Sequence, residues 1–261
     1  PFAFTGNKFE FRMPGSDVNL ADCNMILNTA MAKGLKDFAD AMGDVEGAVF
    51  EKKAIKYIKK TLTDHQSIIF NGNGYSEEWE KEAERRGLAN NRNTAEALPC
   101  YVSQKSLDLF AEFDVLTEAE VRSRYEVKLE KYNKLLNIEA RVMIRMARRT
   151  YLPAISDYMA ELASNITTVK AALSGADMTE HEKLLNIILS GFNRAADCVR
   201  TLVKLHDATE AIEDPQEQAN AYAEKVIPAM EALRKEIDDL ECIVERDFWP
   251  VPTYNDMLFY A

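Results

Sequence analysis

Three charged residues near the start of the chain, Lys8, Glu10 and Arg12, alternate with two phenylalanines. Successive side chains of a β-strand point to opposite faces, so this spacing places the three charges together on one face. A carboxylate there can hold Mg²⁺ or Mn²⁺ through oxygen, and a guanidinium can grip a phosphoryl or carboxylate group with a planar fork. The same triplet can also form an ordinary salt-bridged sheet surface. The residues alone leave both interpretations open.

The other residues capable of chemistry form no complete catalytic pattern. None of the three histidines, His65, His181 and His206, follows a glutamate by three residues, which excludes the di-metal carboxylate sites of helical bundles. We expect these histidines to be solvated or to lie at helix ends. The sequence also lacks a GxxxxGK phosphate loop, a nucleophile elbow and an HExxH helix. The sequence therefore contains no catalytic motif that would be complete within this chain.

Two further segments could bind an anion, and each also has a structural explanation. The run Asn71-Gly72-Asn73-Gly74 could cradle an anion with backbone N–H groups, but the acidic first turn of the following helix favours a structural turn with positive φ angles. The arginines at 145, 148 and 149 suit the C-terminal end of a helix, where cations are favoured. A regulatory anion site is the alternative interpretation of this arginine cluster.

Composition limits the class of protein. The formal net charge of −11 argues against a nucleic-acid partner, since such proteins gather lysine and arginine on one face. No apolar run approaches the ~20 residues of a membrane-spanning helix. Four separated cysteines without a CxxC pair favour the reducing cytoplasm. Because Pro1 stands where an initiator methionine is expected, we expect the chain to be cut from a longer one.

Hydrophobic periodicity predicts a mainly α protein. Residues 1–13 alternate as strand, with a buried stretch at 2–4, and helices are expected over 20–42 and 48–63. Ser76 is the expected cap of the next helix, and residues 88–116 form short helices around Pro99.

The second half predicts a four-helix bundle over residues 118–149, 151–173, 180–212 and 215–246. Capping boxes at Thr117 and Thr179 and a cap at Asp214 begin three of these helices. Pro153 is expected in a first turn and Pro228 at a kink. The aromatic tail over 248–260 is expected to pack against the protein, since free ends are rarely so apolar.

Four blocks of the sequence resemble the C-terminal region of the large type III glutamine synthetases. Residues 6–16 resemble the Glu-x-Arg strand near the end of the catalytic barrel in that family. Residues 65–79 (HQSIIFNGNGYSEEW), 113–126 (FDVLTEAEVRSRYE) and 248–260 are similar to later parts of the same region. The blocks occur in the family's order, so the resemblance extends over nearly the whole chain.

This resemblance implies a fold, an activity and a set of roles. The fold is a long-helix antiparallel bundle preceded by one or two strands and helices from the end of the catalytic barrel. Residues 1–45 end the barrel, 46–116 form a helical connector and 117–261 form the bundle and tail. The activity is ATP-dependent formation of glutamine from glutamate and ammonia through γ-glutamyl phosphate. Glu10 is implied as a ligand of Mg²⁺ or Mn²⁺, Arg12 as a catalytic and substrate-binding residue, and Lys8 as a second substrate-binding cation.

The resemblance also implies a homo-oligomer built as a double ring, and this sequence departs from the family pattern at one point. Other glutamine synthetases carry a further arginine on the preceding strand, whereas residues 1–4 have none. Most ATP contacts and the remaining metal ligands of the family lie upstream of this segment, so we expect the chain alone to be inactive. The alternative is a non-enzymatic helical scaffold or a regulatory or oligomerisation module whose charged strand is only a sheet surface.

Overall fold

The computed structural model describes residues 2–12, 15 and 18–258, apart from the side chains of Phe2 and Tyr254. The fold is mainly α, as predicted, with two short strands at the start and long helices in the second half. The chain forms two compact units, Pro1–Tyr125 and Glu126–Ala261. No helix among the described residues combines the length and the apolar character that crossing a membrane requires.

The first unit begins with a hairpin. Strands β1 (Phe2–Phe4) and β2 (Phe9–Phe11) pair antiparallel, with Ala3 opposite Glu10. The backbone N–H of Thr5 donates to the Lys8 carbonyl at 2.9 Å, and Gly6 supplies the positive φ of 91° that the turn needs.

The apolar side of this hairpin is not buried within the described chain, contrary to the prediction of a buried strand at 2–4. Phe4, Phe9 and Phe11 remain 63%, 54% and 48% exposed. A two-stranded ribbon has a core only when another layer covers one face. The described residues do not supply enough of that layer to bury these rings.

Helices of the first unit follow the predicted boundaries closely. They are α1 (Leu20–Met42), α2 (Gly47–Asp64), α3 (Glu77–Arg85), α4 (Thr94–Ala97) and α5 (Gln104–Glu112), with 3₁₀ turns at Gln66–Ile68 and Leu98–Val102. Gly43 stops α1 with φ of 59°, as its position after the apolar stripe predicts. A small core forms around Leu107, Phe110, Leu116 and Val121.

The second unit is built from longer helices. They are α6 (Glu118–Met146, which begins in the first unit), α7 (Leu152–Ala172), α8 (Thr179–Glu210), α9 (Pro215–Ala221) and α10 (Ile227–Glu241), followed by a 3₁₀ turn at Arg246–Phe248 and α11 (Tyr254–Leu258). Their apolar stripes meet in one core, whose most buried large members include Ile155, Ile188, Leu202, Tyr222 and Leu233. Asn133 on α6 also donates to the Pro215 carbonyl at 2.9 Å, which ties α6 to the start of α9.

The first two predicted bundle helices are in fact continuous. A π-helical turn at Ala147–Tyr151 joins α6 to α7, and a second one at Tyr222–Val226 joins α9 to α10. Each turn ends two residues before a proline, Pro153 or Pro228. A proline in a helix lacks an N–H and its ring presses on the carbonyl four residues earlier, so a locally wider turn relieves both problems.

Two of the three caps predicted for the helices of the bundle are confirmed. Thr117 and Glu120 form the reciprocal capping box, with bonds of 2.8 and 3.3 Å, and Asp214 accepts from the Glu217 N–H at 2.8 Å. The predicted box at Thr179 is wrong, because Glu182 pairs with Lys170 instead.

The start of α8 is capped by an earlier residue. Asp177 accepts from the Thr179 N–H at 3.0 Å. Hydrogen bonding from the Thr179 side chain, and then from this backbone N–H, lowers the pKa of the Asp177 carboxyl below its ordinary value.

The start of the tail packs as predicted, whereas Met257 and Leu258 near its end remain 57% and 76% exposed. The Trp249 ring lies 5.3 Å from that of Tyr151, and the Phe248 ring lies 5.3 Å from that of Tyr158. Trp249 is buried and belongs to the core of the second unit. Residues 259 and 260, also part of the predicted tail, lie outside the described residues.

Candidate functional site

The hairpin brings all three predicted site residues together on one face. Glu10 stands between the two cations, with Oε1 3.5 Å from Lys8 Nζ and Oε2 3.1 Å from Arg12 Nη2. Arg12 Nε also donates to Oε2, at 3.3 Å, so the guanidinium grips one carboxylate oxygen with two of its donors. The period-two alternation therefore predicted the grouping correctly, and the three side chains remain accessible to a ligand.

Arg12 has a second neighbour that the sequence analysis did not single out. The pKa of Arg12 is raised above its ordinary value, first by the hydrogen bond to Glu10 and then by a hydrogen bond to Tyr75. Tyr75 directly follows the Asn-Gly-Asn-Gly run. The loop and the charged strand are therefore parts of one site. The tyrosine directly after the loop is the sequence feature that could have indicated this.

Hydrogen bonds within the loop fix the position of Tyr75. The Asn73 side chain accepts from the Tyr75 N–H at 3.1 Å, and the Asn73 carbonyl accepts from the Ser76 hydroxyl, also at 3.1 Å. Ser76 then caps α3 as predicted, by accepting from the Trp79 N–H at 3.4 Å. This is a compact structural turn followed directly by a helix.

An aromatic and charged cluster holds the loop against α3. The rings of Phe70 and Trp79 stack at 4.1 Å, and the Arg86 guanidinium lies 5.8 and 5.4 Å from their centroids. Arg86 also donates to the Ile69 carbonyl at 2.9 Å and to Glu82 at 2.5 Å. Its partner Glu82 is bonded by Arg85 as well, and the two arginines lower the Glu82 pKa to about 2.

Gly72 is required in this loop for a reason other than the predicted positive φ. Its φ lies outside the left-handed region, but a Cβ atom there would come within 2.4 Å of the Phe70 ring. The ring that stacks on Trp79 thus passes directly over the Gly72 backbone. We correct the prediction accordingly: close approach, and not backbone conformation, selects glycine at this position.

Glu10 fits one ligand position of a divalent cation, but the described residues do not complete a metal site around it. Mg²⁺ favours six oxygen ligands, and it commonly takes one or two carboxylates together with water and phosphate. Among the described residues, Glu10 belongs to no group of three converging acidic, cysteine or histidine side chains; the group that does converge is His206, Asp207 and Glu210 in the second unit. No chemical step can be assigned to a metal from these residues alone.

The solvent exposure of the three histidines agrees with the prediction at two positions and differs at the third. His65 and His181 are exposed, as expected, whereas His206 is only 3% exposed. The expectation of a solvated or helix-end residue is wrong for His206, because α8 turns this position toward the rest of the second unit.

The similarity to known proteins extends over 99% of the chain. A family profile described as the glutamine synthetase C-terminal domain matches residues 53–170. A glutamine synthetase of Bacteroides fragilis (strain YCH46) is 34% identical over 99% of this chain, and so is a type-3 glutamine synthetase of Dictyostelium discoideum. A glutamine synthetase of Butyrivibrio fibrisolvens is 33% identical over 99% of the chain.

The chain spans only 36–37% of the length of these relatives. The part of them that it matches is their C-terminal part. Identity above 30% over nearly every residue, together with the matching helical architecture, is more than a shared fold requires. The chain therefore belongs to the glutamine synthetase family and corresponds to its C-terminal region.

Proposed function

We propose that this chain forms the C-terminal part of an ATP-dependent enzyme that makes glutamine from glutamate and ammonia through γ-glutamyl phosphate. The observation that carries the proposal is the accessible Lys8–Glu10–Arg12 face, which combines a cation ligand with two anion-binding groups. Phosphoryl transfer depends mainly on positioning and charge neutralisation, and these residue types suit both tasks.

In this proposal each residue of the face has a separate role. Glu10 supplies one carboxylate ligand to Mg²⁺ or Mn²⁺, which when bound neutralises the charge of the ATP phosphates. Arg12 holds the glutamate carboxylate or the phosphoryl group in transfer, and Lys8 adds a second positive charge on the same side. Tyr75 positions Arg12 through the hydrogen bond that contributes to its raised pKa.

The pair seen between Glu10 and Arg12 is compatible with these roles. Both side chains are partly solvated, so a ligand can take over either partner at modest cost. A metal ion would compete with Arg12 for Oε2, and the freed guanidinium would then face an anionic substrate. The hairpin acts as a rigid base that keeps the two groups two residues apart on the same strand.

The organisation of the whole protein is part of the same proposal. Residues 1–45 end the catalytic barrel, 46–116 connect it to the bundle, and 117–261 form the bundle and tail. The complete enzyme is a cytoplasmic homo-oligomer in the form of a double ring, with ATP as co-substrate. The chain alone has no synthetase activity, because the other residues that contact the substrates belong to other parts of the enzyme.

The test is an assay of glutamine formation by the full-length protein. We expect activity with glutamate, ammonia, ATP and Mg²⁺ or Mn²⁺, and none from the isolated chain. Arg12→Lys should lower turnover, since lysine keeps the charge but loses the planar fork. Arg200→Lys is the matched control, because Arg200 pairs with Asp197 on the exposed surface of α8.

Two results would favour the non-enzymatic scaffold or regulatory module instead. One is a full-length protein that makes no glutamine under any of these conditions. The other is an active enzyme in which Arg12→Lys and Arg200→Lys have the same small effect, which would make the charged face an ordinary surface.

A further inference from the structure

A polar pocket of about 470 Å³ lies in the second unit between the end of α6 and α8. Four arginines line it: Arg141, Arg145, Arg148 and Arg149. The opposite wall includes His206 and Asp207 from α8. The pocket thus gathers an arginine cluster and a buried imidazole, although they are far apart in the sequence.

A favourable interaction with a helix C-terminus does not explain why these arginines are clustered. Cations are favoured in the last turn of a helix, but this helix does not end at Arg149; it continues through the π-helical turn into α7 and reaches Ala172. Arg141 is held by Glu210, with bonds of 3.0 and 3.2 Å to the two carboxylate oxygens. Within the described chain the other three arginines form no ion pair with an acidic side chain.

His206 is the second, independent observation. Its ring is 97% buried, with Nδ1 3.3 Å from Asp207 Oδ1 and no hydrogen-bond partner for Nε2 among the described residues. A buried polar atom without a partner is costly, and such atoms often mark a binding site. Either ring form can serve an oxyanion: an Nε2–H donates to a phosphate oxygen, and a bare Nε2 accepts from a phosphate hydroxyl.

Local backbone geometry supports the same conclusion. Arg148 and Arg149 lie in the π-helical turn, where the Leu152 N–H bonds to the Ala147 carbonyl five residues earlier. Turns of this kind are frequent at functional sites, since the extra residue shifts side chains to positions that a regular helix does not offer. Here the turn places both arginines on the wall of the pocket.

The charge of the pocket selects the class of ligand. Four arginines against Asp207 and Glu210 leave a net charge of about +2 when His206 is neutral, which matches the −1.5 to −2 of a phosphate monoester at about pH 7. His206, Asp207 and Glu210 could in principle converge on a metal, with ligand atoms within 4.8 Å of one another. Arg141 already binds Glu210, however, and the surrounding arginines repel a cation.

We propose that this pocket binds the phosphate group of a small phosphorylated molecule, with Arg145, Arg148 and Arg149 gripping the phosphate oxygens and His206 contacting one of them. The site lies within the second unit and does not depend on the proposed synthetase activity at Glu10 and Arg12. It gives the helical bundle a ligand of its own, as the alternative interpretation of the arginine cluster anticipated.

The test is calorimetric titration of the purified 261-residue chain with inorganic pyrophosphate at fixed ionic strength. We expect saturable binding, at least about tenfold tighter than that of citrate, since the arginine forks and the imidazole are arranged for phosphate. The double variant Arg148→Gln/Arg149→Gln should weaken binding by at least about tenfold, as the loss of charge-assisted hydrogen bonds predicts.

Two control variants distinguish binding in this pocket from nonspecific electrostatic attraction of the anion to the protein. Arg122→Gln/Arg200→Gln removes the same charge from exposed residues outside the pocket and should change affinity by less than about twofold. Arg12→Gln should likewise leave the affinity at this pocket, followed by the His206 signal, unchanged, which distinguishes the pocket from the candidate site on the hairpin.

Imidazole ¹⁵N spectra of the wild-type chain give a readout that needs no arginine variant. The signal absent from His206→Gln identifies this ring, and pyrophosphate should shift it while leaving the signals of exposed His65 and His181 unchanged. The proposal is overturned if pyrophosphate does not bind, if citrate binds equally well, if the two double variants lose affinity equally, or if the His206 signal does not move.

Discussion

Substitution of Gly191 by alanine tests how tightly the second unit is packed. Gly191 is a buried position of α8, and a Cβ atom there would lie 2.9 Å from Leu240 Cδ2 and 3.2 Å from Leu240 Cγ on α10. Leu240 is itself only 2% exposed, so its side chain has little room to move away. The new methyl group therefore forces a shift of one helix or a poor rotamer of Leu240.

The net effect is the difference between two opposing contributions. Overpacking of a well-filled core costs about 1–3 kcal/mol. Alanine in place of glycine inside a helix stabilises by about 1 kcal/mol. We expect Gly191→Ala to lower the free energy of unfolding by roughly 0–2 kcal/mol.

Gly34 provides a matched control for the helix contribution. It is an exposed position of α1, and a Cβ atom there meets nothing within 4 Å. Gly34→Ala should therefore stabilise the first unit by about 1 kcal/mol. The difference between the two substitutions, about 1–3 kcal/mol, isolates the overpacking at Leu240.

Urea unfolding followed by tryptophan fluorescence can measure both changes. The two tryptophans, Trp79 and Trp249, lie one in each compact unit. A Trp79→Phe background reports on the second unit alone, and a Trp249→Phe background reports on the first. Each unit then gives its own transition, which avoids treating two units as one cooperative system.

A second substitution checks the physical cause. Leu240→Ala alone should cost about 2–5 kcal/mol by opening a cavity. Added to Gly191→Ala, it removes the clash, and the new methyl group fills part of the cavity, so the pair should cost less than the sum by about 0.5–3 kcal/mol. The reasoning is refuted if Gly191→Ala stabilises its unit as much as Gly34→Ala does and if the two substitutions are simply additive.

Three further predictions concern a cap, a carboxylate and the core. Asp214→Ala should destabilise the second unit by about 0.5–2 kcal/mol, whereas Thr179→Ala, whose side chain makes no cap, should stay within about 0.5 kcal/mol in urea unfolding. Arg85 and Arg86 lower the Glu82 pKa to about 2, so the ionised carboxylate stabilises the folded first unit above the ordinary pKa of 4.5. This contribution to the free energy of unfolding should be lost as pH falls toward 2. Acid unfolding of Glu82→Gln should lack this loss. Leu202→Ala, at a fully buried site, should cost about 2–5 kcal/mol in the same fluorescence assay and leave the first unit unchanged.

Elements whose causes are local were predictable from the sequence. The α1 helix ends at Gly43, α3 begins after Ser76, and the boxes or caps at Thr117 and Asp214 form as predicted. In each case one side chain, or the freedom of one glycine, decides the boundary within a single turn of helix. The same local rule of alternation grouped Lys8, Glu10 and Arg12 correctly.

Features that depend on tertiary neighbours were not predictable in this way. At Thr179 the expected partner Glu182 turns to Lys170 on α7, a competitor that a local pattern does not reveal. The π-helical turn before Pro153 keeps the helix continuous where the sequence suggested a break. Burial of His206 likewise depends on how α8 packs.

The candidate site shows the same division between local and distant causes. Its charged face follows from strand alternation, but the neighbour Tyr75 comes from a loop more than sixty residues later. The need for glycine at position 72 arises from the Phe70 ring passing above it, and not from the turn type that an Asn-Gly pair suggests. Contacts of this kind depend on how the chain folds, and a local sequence pattern does not determine them.

Glu10→Ala in the full-length protein tests the central claim most directly. The matched control is Glu118→Ala, because Glu118 is a carboxylate paired with Arg122 on an exposed helix surface. Glutamine formation and the unfolding midpoint should be measured together for both variants and the wild type. We predict that Glu10→Ala abolishes glutamine formation with the fold intact, while Glu118→Ala keeps normal turnover. Normal turnover in Glu10→Ala would contradict the account, because Glu10 would then be only one member of a salt-bridged surface.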